Sequence, residues 1–183
     1  MKFLIRTTLL AVFVFFVGAS SMAQAEQVQI YDYGVENILN NLKRVGDKNG
    51  FKIWGTQYLR DKNVGKICAT YFGDSKWNSI LFKINDTGAV SSAFVIFPSD
   101  ESNTFLGGRV TGVILISIGM NNNEAQNLTN NMISDLIDFA RRNPYADSYK
   151  KTFSYWISNT KRYVDVTFEV KGSDCSFDIS AHI

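Results

Sequence analysis

Two segments near the C-terminus alternate without a break. Val164, Val166, Phe168 and Val170 share one side of a two-residue period, and after Lys171-Gly172-Ser173-Asp174 so do Cys175, Phe177, Ile179, Ala181 and Ile183. Successive side chains of a strand point to opposite faces, so this pattern predicts a β-hairpin with one buried and one solvated face. A half-buried hairpin cannot stand alone in water; it needs more strands and a layer to cover its apolar side.

The rest of the chain supplies both. Phe51–Leu59, Val64–Phe72, Trp77–Ile84 and Ala89–Phe97 read as a four-stranded meander. Asp61-Lys62-Asn63, Gly73-Asp74-Ser75 and Asn85-Asp86-Thr87-Gly88 supply its turn chemistry. Thr152–Ser158 is one further strand. Residues 32–46 place Val35, Ile38, Leu39, Leu42 and Val45 on one helical stripe, with Asp32 able to cap and Gly46 to stop it. Residues 124–142 form a second helix on Ala125, Leu128, Met132, Leu136 and Phe139. Asn123 or a neighbour caps it, Arg141 and Arg142 suit its negative end, and Pro144 stops it. Between them, Pro98–Arg109 reads as a long polar loop, and Val110–Ile118, almost wholly apolar, as a central strand buried on both faces. The expectation is one α+β domain over residues 26–183. It is a largely antiparallel twisted sheet of about seven or eight strands with two amphipathic helices, about 32–46 and 124–142, packed on it.

The N-terminus reads as a separate signal. Lys2 and Arg6 are the bases of a short n-region, Leu9–Val17 is an apolar run too short to span a bilayer, and Ala23-Gln24-Ala25 is a cleavage site. Residues 1–25 are therefore expected to be a secretory signal peptide, with the mature chain starting at Glu26, exported to a periplasm and carrying no membrane span. Two of the 19 bases and none of the 17 acids lie in the leader, so residues 26–183 are neutral, with 17 of each. That balance offers no field for nucleic acid. In an oxidising compartment Cys68 and Cys175, the two cysteines of the chain, are expected to pair as a disulfide worth at most ~4–5 kcal/mol in loop-closure entropy.

Catalytic inventories are thin. His182 is the single histidine and alternates with Ser180 and Asp178 on the polar side of the last strand, where it reads as a solvated edge residue. No zinc-ligand spacing and no phosphate-loop or nucleophile-elbow motif is present, so neither a metal nor a cofactor is expected. Gly107-Gly108 reads as plain loop flexibility. Asp100-Glu101 is an acidic doublet on the polar loop, and Asp135 and Asp138 lie on the outer side of the long helix.

One segment does look like a recognition surface. Arg141, Arg142, Tyr145, Tyr149, Lys150 and Lys151 gather four bases and two tyrosines within eleven residues, and Arg and Tyr are favoured in protein interfaces. It is the candidate binding site, facing a protein partner with an acidic surface. Trp54 and Tyr58 fall on one side of their strand, and the face assignments allow, without requiring, that Trp77 joins them on the side opposite the helices. The functional expectation is a non-catalytic binding protein: an inhibitor, immunity-like or accessory factor. The first alternative is a carrier of a small apolar or amphipathic molecule, gated by Phe105-Leu106-Gly107-Gly108. The second is a hydrolase using the carboxylate of Asp100 or Glu101.

Overall fold

The structure is a computed structural model and describes residues 28–61, 65–143, 146 and 148–183. The expected leader, the start at Glu26 and Tyr145 lie outside the described residues. Seven strands form one sheet: β1 Ile53–Asp61, β2 Gly65–Phe72, β3 Ser79–Ile84, β4 Val90–Pro98, β5 Ser148–Ile157, β6 Arg162–Lys171 and β7 Asp174–His182. Every neighbouring pair is antiparallel, and the order across the sheet is β1-β2-β3-β4-β7-β6-β5. The four-stranded and three-stranded meanders therefore meet at β4 and β7. Three helices join them: α1 Val35–Asn49, α2 Glu101–Ser117 and α3 Asn122–Arg142. The α+β, single-domain reading stands, with three helices in place of two.

The third helix is the main correction. Residues 101–117, expected to be loop and then strand, form α2. Asp100, read as part of a solvated doublet, is its N-cap and accepts a hydrogen bond from the Asn103 N–H at 2.9 Å. Glu101 follows at the positive end of the dipole. Val110–Ile118 is largely buried, but its period is helical, and one stripe of α2 through Phe105, Arg109 and Ile116 is exposed. α2 lies on the sheet between α1 and α3 and carries apolar side chains, Phe105 and Ile116, on its exposed stripe as well. Its β-branched residues carry a modest helix penalty that burial overrides. Gly107 and Gly108 let it approach closely: a Cβ on Gly107 would overlap the Phe97 ring, and one on Gly108 would sit 2.7 Å from the Ile133 methyl.

The ends of α1 also differ. It starts at Val35 and runs past Gly46 to Asn49, closed by Gly50 in the left-handed region at φ 75°. Asp32 is not its cap. That carboxylate instead takes two hydrogen bonds from the Arg162 guanidinium at 2.9 and 3.2 Å, while Arg162 also bonds the Gln29 carbonyl. Tyr31 exchanges backbone bonds with Val90, and Val28 bridges Ala181. Residues 28–32 are thus stitched between the start of β4 and the end of β7. Asn121 caps α3 through the Asn123 N–H.

All three helices cover the same face of the sheet. The strand residues of the main core are Cys68, Phe72, Phe82, Val95, Phe97, Val164, Val166, Phe168, Phe177 and Ile179 and their neighbours of the same parity. Fully burying one such side chain is worth roughly 1.5–3 kcal/mol. Among the described residues no helix is long and apolar enough to cross a membrane.

The cysteines do not pair. Cys68 is in β2 and Cys175 in β7, and both are free thiols buried in the main core. β3 and β4 lie between these strands. Three strand spacings amount to ~14 Å, well beyond the ~7 Å limit on Cα separation for a disulfide. Burial pushes the Cys68 thiol up to about 11 and the Cys175 thiol up to about 12. Both therefore remain protonated and unreactive at neutral pH.

Candidate binding face

The register sorts every strand residue to the helix side or to the opposite side, over which no described helix lies. One row of that open side reads Gln57, Ala69, Leu81, Phe94, Asp178, Thr167, Thr152 from edge to edge. The β1–β4 half is apolar. Ile67, Ala69 and Leu81 form a second buried cluster, packed with Leu59, Phe94 and Ile96. The β7-β6-β5 half carries the chemistry.

Four successive rows define that half. Lys150, Glu169 and Ser176 share one row, with the Lys150 ammonium 3.5 Å from the Glu169 carboxylate. Asp178, Thr167 and Thr152 form the next, and the two threonine hydroxyls bond each other at 2.8 Å. Asp178 has no such partner: its Oδ1 is buried without a hydrogen bond. Burial pushes the Asp178 carboxyl up to about 7; Lys150 pulls it down, and Glu169 and Asp165 add to the rise. A carboxyl so placed is half-protonated at neutral pH.

Ser154, Asp165 and Ser180 follow, and Trp156, Tyr163 and His182 close the face. Ser154 donates to Asp165 Oδ1, and His182 Nδ1 lies 3.1 Å from Asp165 Oδ2. The carboxylate thus sits between hydroxyl and imidazole. A nucleophilic relay needs the imidazole in the middle, touching the hydroxyl it activates. The Tyr163 ring lies 5.3 Å from that of His182 at 10°, and 5.0 Å from that of Trp156 at 59°. Trp156 and Tyr163 are 49% and 42% exposed, high for large aromatic side chains within a sheet. His182, expected at an edge, stands in a central strand.

The basic segment is divided. Tyr149 points to the helix side, its ring 4.9 Å from Phe139 and 6.1 Å from Phe168. Lys150 faces the open side. Lys151 is on the helix side, where it pairs with Asp135. Arg141 and Arg142 end α3, and Arg141 is 3.8 Å from Asp138. Strand alternation separates what sequence proximity grouped, so Lys150 and Lys151 cannot face one partner together.

The meander aromatics are divided too. The register shifts between Trp54 and Gln57 at Gly55, whose φ is +67°, and such a bulge inverts facing. Trp54 packs on Tyr71 of the open side, with ring centroids 4.8 Å apart. Tyr58 is on the helix side, bonded to Glu36. Trp77 is exposed in the β2–β3 turn. The residues that sequence reading passed over, Trp156, Tyr163, Asp165 and Asp178, did leave a signal there. They are the polar and aromatic alternates of β5, β6 and β7, legible once the apolar set is assigned inward.

Among the described residues no group of three or more His, Cys, Asp or Glu is placed to hold a metal ion. Searches against protein-family models, curated proteins and solved structures each return no match for this chain.

Proposed function

We propose that this chain is an exported, non-catalytic protein of the periplasm that acts by binding another protein, as an inhibitor, immunity-like or accessory factor. Its open β7-β6-β5 face is the surface it binds with. An uncovered face is ordinary for an antiparallel sheet. What supports recognition is the composition of this one: exposed Trp156 and Tyr163 on the same face as, and two rows from, a buried carboxylate oxygen that lacks a donor. Large aromatics anchor interfaces because they bury much area for few lost rotamers. The leader composition and the neutral charge of residues 26–183 support export and a soluble partner rather than nucleic acid.

The carrier reading has less behind it. Its gate, Phe105–Gly108, is part of α2. A pocket of about 410 Å³ near the end of β1 is lined by Arg60, Asp61, Gly65, Lys66 and Asp86, a charged rather than apolar wall.

The test is retention of a protein from periplasmic extract by the wild type and by W156A/Y163A. One species retained by the wild type and released by the double variant, at unchanged melting temperature, supports the reading. Equal retention by both, or none by the wild type, refutes it.

A further inference from the structure

We propose that the occupant of this face is cationic: an extended segment of a protein partner whose arginine side chains meet Asp178 and Asp165 and reach the Trp156–Tyr163 rings. The inference rests on the β7-β6-β5 face being the binding surface and adds the charge and conformation of what it binds.

Charge comes first. Across the three strands the open side presents Asp165, Glu169 and Asp178 against Lys150, and Lys150 is already paired with Glu169. Lys171 and Asp174 are opposite each other in register at the hairpin turn, and His182 lies beside Asp165. The middle of the face therefore carries acids, not bases, beyond the Lys150–Glu169 pair: Asp165, held by Ser154 and His182, and Asp178, which a bound cation would hold ionised; this is the reverse of the basic surface anticipated from residues 141–151. An acidic segment would meet like charge here, which costs binding.

Hydrogen bonding is the second argument. Asp178 Oδ1 lacks a donor, and a buried acceptor left unpaired is costly until one arrives. Thr167, beside it in the row, is engaged with Thr152. A guanidinium supplies several donors in a planar fork suited to a carboxylate. A guanidinium also stacks on aromatic rings, so Trp156 and Tyr163, exposed together in the row beyond Asp165, offer cation–π contact to a second arginine of the same segment.

Spacing is the third. Asp178, Asp165 and Tyr163 occupy alternate rows of one face, so they recur every two residues, ~6.6–6.8 Å along the strands. An extended peptide presents its own i, i+2, i+4 side chains at that repeat. A helix, with same-side neighbours ~5–6 Å apart and a curved surface, does not match it.

Binding a cation favours ionised Asp178, which shares its surroundings with Lys150, Glu169, Asp165 and His182. Association should therefore strengthen as pH rises from 6 to 8, and most of that slope should vanish in D178N.

The probe is a short blocked peptide of alternating arginine and threonine, compared with one of alternating glutamate and threonine, each titrated into the mature protein by ¹H–¹⁵N NMR. The arginine peptide is expected to shift the amides around Trp156, Asp165 and Asp178, and D178N to weaken it about tenfold or more. W156A should weaken it several-fold. D138N, which removes an exposed acid on α3, should leave it unchanged. No shifts with the arginine peptide, shifts centred elsewhere, or D178N binding as well as wild type would overturn the inference. Shifts on this face from the glutamate peptide alone would also overturn it, while leaving the face itself as the binding surface.

Discussion

Asp178→Asn is the sharpest probe of the open face, because its sign is unusual. Most carboxylates that matter to a fold stabilise it when ionised; this one opposes the fold. Its carboxyl sits at about 7 against an ordinary 3.8, with burial as the largest cause. The folded chain therefore keeps a proton that the unfolded chain gives up between about pH 4 and pH 7, so stability from this group is highest below pH 4 and falls as pH rises to 7. At about 1.4 kcal/mol per pKa unit the full loss would be ~4 kcal/mol. The side chain keeps one flank near water, and screening there reduces the loss to about 2 kcal/mol. Asparagine resembles the neutral acid in shape and cannot ionise. Urea unfolding of both proteins at pH 4, 6 and 8 should show D178N gaining about 2 kcal/mol on wild type between pH 4 and 8. Asp32 and Asp100 shift the other way: hydrogen bonds from Gln29 and Arg162 lower the first, and the Asn103 N–H lowers the second. Both are common to the two proteins and cancel in the difference. A difference that stays constant with pH, or D178N losing ground as pH rises, would refute the assignment of Asp178 as a buried, unpaired acid.

Other parts of the account make separate predictions. Arg162→Ala removes two bonds to Asp32 and one to the Gln29 carbonyl from a side chain that is nearly buried. It should cost about 2 kcal/mol in urea unfolding, and a loss under ~0.5 kcal/mol would remove the clamp from the argument. Gly107→Ala should destabilise by about 2 kcal/mol or more through overlap with Phe97, whereas Gly112→Ala, whose Cβ would meet Thr129 at an unstrained 3.8 Å, should be neutral or gain up to ~1 kcal/mol. Equal effects at the two sites would contradict the packing of α2 as a helix. Alkylation of the freshly isolated protein under denaturing, non-reducing conditions should add two labels, at Cys68 and Cys175, and native protein should add none; an unlabelled denatured chain would restore the disulfide.

β6 and β7 were readable because one face of each is buried and the other is not, which writes a two-residue period with little ambiguity; β2 and β3, buried on both faces, were readable from their turns. α1 and α3 were readable from one-sided burial too, at a period of 3.6. α2 was not, because Phe105, Val113 and Ile116 make its outer side nearly as apolar as its inner one, which erases the period that separates helix from strand. Its remaining signals were Asp100 as a cap and glycines at 107, 108 and 112, and those same residues also suit a loop. The candidate site at residues 141–151 is divided by the structure for a different reason. Tyr149, Lys150 and Lys151 are adjacent in sequence, but a strand sends neighbours to opposite sides, and assigning residues 148–151 to β5 would have split the patch. Which face the helices cover depends on three helices choosing one side together, a tertiary outcome that no single segment encodes. Asp178 could be placed on the polar side from its alternation. Its isolation there depends on Thr167 pairing with Thr152 and Lys150 with Glu169, contacts that exist only once the rows are in register.

The most direct test of the open face as the working surface is site-specific photo-crosslinking in the producing cell. A photoreactive residue is placed at position 156 on the open face, or at position 116, where Ile116 is exposed on α2 in the helix layer. The account predicts a discrete protein adduct from position 156 and none from position 116. An adduct from position 116 without one from position 156, or no adduct from either, would contradict it.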